Sequence, residues 1–261
     1  MPLRLLAKLL SFRDMEQYLK VLGLFYCRVG IVFWLPLVGP MSRIPTSIRF
    51  IIVNVIVIAL FSLQGAPAVI EVDLNTRSYL TLLAIEFITG ITFSLILAVP
   101  AVVLLFFGRA IDMQIGLGAS GIFNPTSQTQ DSLLGVLFSF AALTLFWSLG
   151  LHLDVLKILI ESIKVLPLGQ TRNVEAMVFI EYFSTAFVLG LILFAPVIIM
   201  LFIVDICSGI ISKSMPQMSI YFVIMPLKIM IGFIVLTITL TNLASHFEML
   251  VRFPVKFLVG L

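Results

Sequence analysis

The chain has 261 residues, of which 61% are apolar and 11% charged, whereas soluble domains carry about 45–50% and about 25%. That balance excludes a soluble globular protein and describes an integral membrane protein. The formal net charge of +3 is small and spread along the chain, which excludes the basic stripe of a nucleic-acid-binding surface.

Residues 1–18 read as a short amphipathic helix at the membrane interface or against a partner: Arg4, Lys8 and Ser11 share a face, and Leu5, Leu6, Leu9 and Leu10 cover much of the rest. The charges between Arg4 and Lys20 leave no apolar core for a cleaved leader, so none is expected. Residues 1–20 are therefore set apart from a single polytopic membrane domain over 21–261. A first span is predicted over about 21–39, ending near Pro36, Gly39 and Pro40, and a second over about 50–63. The third apolar run, 79–107, exceeds the ~20 residues of a straight crossing, and Gly90 and Pro100 mark where it could bend.

Residues 108–131 then interrupt the apolar pattern with a glycine-rich, polar segment. Backbone of that kind cannot face lipid, where its polar groups would go unpaired. Two readings stay open: a connecting loop punctuated by Asn124-Pro125, or re-entrant backbone that lines or closes a pathway. Its small residues are mixed with Met113, Ile115, Leu117, Ile122 and Phe123, and Gly116, Gly118 and Gly121 permit turns. That mixture suits a compact plug, since a solvated loop of this length carries more charge.

A fourth run covers 132–151 and leads into 152–166, where Asp154, Lys157, Glu161 and Lys164 share a helical face, either solvated or docked on a partner. The fifth run, 176–204, contains Pro196. After a polar tip at Ser208–Gln217, the sixth, 218–242, contains Pro226 and Lys228. Runs five and six make a helical hairpin over 176–242. The expected class is an all-α membrane protein of about six long, kinked apolar helices arranged as hairpins. Most Lys and Arg in the links fall on the side of both termini, opposite Arg43, Arg49, Arg109 and Lys213, which places the termini in the cytoplasm.

Chemistry is sparse. His152 and His246 have no carboxylate or cysteine at metal-ligand spacing, no glycine–lysine phosphate loop is present, and Cys27 and Cys207 lie far apart within apolar runs. No enzyme, metal or cofactor is expected. Ionisable residues do stand inside apolar runs: Arg28, Glu86, Glu181, Asp205 and Lys228. Each costs on the order of 2.5–3.5 kcal/mol at a helix centre. They point to buried pairing, such as Arg28 with Glu86, or to contacts with other subunits; an ion pathway is the alternative.

Several ordered motifs carry a resemblance along nearly the whole chain. Arg28 is followed by Pro36, Ile44-Pro45 and Arg49; Glu86 stands with Gly90. Gly108-Arg-Ala-Ile-Asp112-Met-Gln114-Ile-Gly116 precedes Asn124-Pro125. Leu151-His152 and Leu166-Pro167-Leu168-Gly169 follow. Met215-Pro216-Gln217-Met218-Ser219-Ile220 then precedes Met225-Pro226-Leu227-Lys228. In these the chain resembles the FliR family of flagellar export-gate proteins and its injectisome relatives of the SctT type, with the flagellar branch favoured.

The resemblance implies an inner-membrane subunit of the flagellar basal body. It would form, with FliP- and FliQ-type subunits and an FlhB-type subunit, the pore through which unfolded flagellar proteins are exported. It also implies that 176–242 corresponds to the FliQ-type hairpin and that roughly 109–127 forms a plug. Plug residues would be Met113, Ile115, Gly116, Leu117, Gly118, Gly121, Ile122 and Phe123. Arg28, Glu86, Glu181, Asp205, Pro216, Gln217 and Lys228 would serve subunit contact or buried pairing. Asn124 stands where the family usually has aspartate, so no electrostatic role passes to it. The rival readings are a six-span small-solute transporter and a membrane scaffold without a conduit.

Overall fold

The computed structural model describes residues 12–34, 45–64, 78–117, 132–170, 176–214 and 220–260. In chain order its helices are α1 (Phe12–Phe25), a π-helical turn (Tyr26–Gly30), α2 (Ile31–Trp34), α3 (Thr46–Gln64), α4 (Tyr79–Ile115), α5 (Leu133–Ser148), α6 (Leu151–Val165), α7 (Ala176–Ser214), α8 (Ile220–Asn242) and α9 (Ala244–Gly260). No strand occurs among the described residues. The all-α membrane class follows. Three helices are long and apolar enough to cross a membrane, Tyr79–Ile115, Met177–Lys213 and Ile224–Asn242, and the α5–α6 pair adds a fourth if it is one broken span.

Two elements run further than the apolar pattern indicates. The 37-residue α4 continues through 108–115, inside the segment expected to be an interruption. Polarity ends the apolar run there, but the helical period persists: Gly108, Ile111, Asp112 and Ile115 are buried in turn. α7 has 39 residues and is helical through Asp205, Ser208 and Lys213 to Ser214, so most of the expected polar tip is helix. At 1.5 Å per residue each spans about 55 Å or more, well beyond a hydrocarbon core of about 30 Å. Pro100, Pro196 and Pro226 all lie within continuous helices.

The chain divides into two compact units, Met1–Ala98 with His152–Glu175, and Val99–Leu151 with Ala176–Leu261. In the first, α1, the π turn and α2 pack on α3, burying Val21, Leu24, Phe25, Val29, Val53 and Val57. The front half of α4 presents Tyr79, Leu82, Glu86 and Gly90 at helical spacing. The Tyr79 hydroxyl donates to the Lys20 carbonyl at 3.1 Å. At Gly90 an added Cβ would stand 2.7 and 2.8 Å from the carbonyl oxygens of Cys27 and Arg28, so only glycine lets α4 lie against the π turn.

In the second unit α7 and α8 form the hairpin, and its core is aromatic. Phe194 stacks on Phe107 at 5.7 Å and lies 4.9 Å from Phe138. α9, which the apolar runs do not announce, packs on α5, α7 and α8. It buries Phe247, Leu250, Val251, Pro254, Val255 and Leu258, an i, i+3, i+4, i+7 stripe. Tyr182 of α7 meets Phe253 face to face at 5.0 Å and Phe257 at 4.2 Å.

Candidate functional site

Within the first unit, Arg28 and Glu86 are both fully buried, at 0% exposure. Arg28 lies in the π turn, where the i→i+5 pattern replaces the tighter α pattern. Its Nε and Nη2 donate to the two Glu86 oxygens at 2.5 and 2.8 Å, a bidentate fork. Nη1 donates to the Leu166 carbonyl at 2.6 Å and, more weakly, to that of Ser162 at 3.5 Å. Glu86 also accepts the Gly169 backbone N–H at 2.7 Å. The guanidinium thus closes the carboxyl end of α6, where cations are favoured, while Glu86 holds the Leu166–Gly169 turn. With its groups matched in this way, the pair fits the few arrangements in which a buried ion pair is tolerable.

Within the second unit, three groups meet where α4 ends. Asp112, 4% exposed, accepts from the Ser132 hydroxyl at 2.6 Å and from the Leu134 backbone N–H at 3.1 Å. Ser132 is the N-cap of α5, and its Oγ in turn accepts the Gly135 N–H at 2.8 Å. One turn earlier, Gly108 lies against the Gly135 backbone so closely that a Cβ would overlap its N and Cα. The two ends of the glycine-rich segment are therefore joined. Gly116 closes α4 at φ +92°, its N–H reaching the Asp112 and Met113 carbonyls, the left-handed cap that favours glycine.

Of the expected plug residues, Ile115 is 1% exposed, and its side chain covers the place a Cβ on Gly232 would take. Gly116 faces Met225, and Met113 is exposed. Leu117 is the last described residue of the segment; Gly118, Gly121, Ile122 and Phe123 lie outside the described residues. A cleft of about 310 Å³ opens beside Met113–Gly116, lined also by Ser208, Gly209, Ser212, Ile224 and Met225. It contains the ion pair of Lys228 Nζ with Asp205 Oδ1 at 2.5 Å. Glu181 is exposed on α7, with no ion pair among the described residues; Pro216 and Gln217 lie outside them.

Asp112 and Ser132 were not singled out as site residues from the sequence. Their signal was available, since Ser132 directly precedes an apolar helix, as an N-cap does. Cys27 and Cys207 are free thiols. No group of three or more His, Cys, Asp or Glu residues able to hold a metal occurs among the described residues. The geometry offers anchored helix ends, a closed buried ion pair and a polar cleft, all suited to holding segments in place.

Comparison with known proteins agrees along most of the chain. The family-wide pattern described as "Bacterial export proteins, family 1" matches residues 19–253. The flagellar biosynthetic protein FliR of Aquifex aeolicus is 30% identical over 241 residues, 89% of this chain and 92% of that protein. FliR of Bacillus subtilis is 25% identical over 224 residues, 84% of this chain and 85% of that protein. The Yop proteins translocation protein T of Yersinia pestis is 27% identical over 197 residues, covering 73% of this chain and 75% of its own length. With the match spanning both units, this chain belongs to the bacterial export proteins, family 1.

Proposed function

We propose that this chain is a structural and gating subunit of the flagellar type III protein export gate. The observation that carries the reading is similarity to flagellar FliR proteins over most of both chains. In this reading it acts without catalysis, in the bacterial inner membrane within the flagellar basal body. It assembles there with FliP- and FliQ-type subunits and an FlhB-type subunit around a path for unfolded export substrates. Large apolar side chains exposed along α7, among them Ile199, Phe202 and Ile206, are surface that lipid or neighbouring subunits would cover. The matches to Yop translocation protein T and to the Salmonella typhimurium secretion apparatus protein SsaT support an injectisome gate as the second reading.

The segment around 109–127 is the seal in this account. Its helical start, through Ile115, packs on α8 at Gly232, and the proposed seal takes in the residues that follow. Purification with native partners in mild detergent tests assembly: a multi-subunit complex with a closed axial channel is the expected result, and a solute-transporting monomer would overturn it. Deleting 118–127, which spares Asp112 and Ile115, tests the seal. The deleted complex should assemble and leak small ions; a complex as tight as wild type would remove the seal assignment.

A further inference from the structure

We propose that Asp112 is a positioning residue that seats the Met113–Gly116 end of α4 on the α7–α8 hairpin by gripping the amino end of α5. The inference rests on the reading of the following segment as a seal and assigns the part that sets its anchor. The carboxylate is almost entirely buried and takes both a hydroxyl and a backbone N–H, from Ser132 and Leu134. Hydrogen bonds to an ionised acceptor are roughly twice as strong as neutral ones, and a helix amino end favours negative charge. Gly108 and Asp112, four residues apart, therefore bind α5 on one face of α4. That contact fixes the rotation of α4, and rotation decides where Ile115 and Gly116 point. Both now meet α8, at Gly232 and Met225.

The grip is separable from the fold of this unit. Backbone contact at Gly108–Gly135 and the Phe107–Phe194–Phe138 cluster still join α4, α5 and α7 when Asp112 is replaced. Loss of the carboxylate should free the final turn of α4 without dismantling the helices.

The test places Ile115→Cys and Gly232→Cys in the full-length protein, with Cys27→Ser and Cys207→Ser, and assembles it with native partners. Oxidative crosslinking of the new pair reads the seating, and ion leakage in vesicles reads the seal. Asp112→Ala removes both hydrogen bonds and should slow crosslinking by at least about tenfold, the factor that one charge-assisted hydrogen bond alone carries, and raise leakage. Asp112→Asn, which keeps an oxygen for the Leu134 N–H, and Ser132→Ala should fall between. Unchanged crosslinking in Asp112→Ala overturns the proposal whatever the leakage does. Slower crosslinking with wild-type tightness upholds the positioning role and sinks the seal reading. If Asp112→Ala does not accumulate, Asp112→Asn and Ser132→Ala decide: slowed crosslinking supports the proposal, and wild-type crosslinking in both overturns it.

Discussion

Gly108 of α4 and Gly135 of α5 meet backbone to backbone, with no room for a Cβ on the α4 side. Even alanine at Gly108 must displace α5, and the neighbouring Phe107–Phe194 stack resists that movement. Gly108→Val is expected to cost about 1–3 kcal/mol, the usual range for overpacking. Thermal denaturation of the purified protein checks this, and a midpoint equal to wild type would contradict the contact.

Exchanging the charges of Arg28 and Glu86 should not restore function. The carbonyls of Leu166 and Ser162 accept from Arg28, and the Gly169 N–H donates to Glu86. A carboxylate at 28 would face acceptors, and a guanidinium at 86 would face a donor. Either single replacement by alanine should destabilise by about 3–5 kcal/mol, because it strands a buried charge. The double replacement Arg28→Met with Glu86→Met should exceed both the swap and the single changes in accumulated protein. A swap that matches wild type would show that the turn after α6 does not matter to this pair.

The Asp205–Lys228 pair should respond asymmetrically. Lys228 is 14% exposed and Asp205 42%, so removing Asp205 leaves the more deeply buried charge unpaired. Asp205→Asn is expected to lower accumulation and thermal stability more than Lys228→Met. Equal or reversed effects would mean that another group shares the load at the cleft.

Tyr182 should report the docking of α9. It is 2% exposed and packs against both Phe253 and Phe257. Tyr182→Ala should cost about 3–5 kcal/mol, as large aromatic truncations do, and expose α9 to limited proteolysis near Leu243. Protease resistance equal to wild type would separate α9 docking from this stack.

Apolar runs place α3, α5 and α8 within a few residues, and the start of α7 but not its end, because lipid-compatible helices must be long and greasy. They failed where a helix continues beyond its greasy part. Arg109, Asp112 and Gln114 lower hydropathy without altering the 3.6-residue period, so α4 outlasts its apolar run. α9 was missed because Glu248, Arg252 and Lys256 interrupt it and Pro254 suggests a break, although its apolar stripe is regular. Charged residues within the spans were conspicuous one by one. The carbonyls and N–H of the Ser162–Gly169 turn that complete the Arg28–Glu86 arrangement carry no side-chain signal and could not have been read.

The π turn at Tyr26–Gly30 has a consequence for how the start of the chain tolerates change. Each residue in an α-helix advances about 100°, so a turn holding an extra residue acts as a phase shifter between α1 and α2. Losing one residue within 26–30 could relax the turn to ordinary α geometry while both flanking helices keep their faces toward α3. The same loss from within α1 would rotate every residue before it by about 100°. Single-residue length variation is therefore survivable at one place in this helix, and that place also aims Arg28.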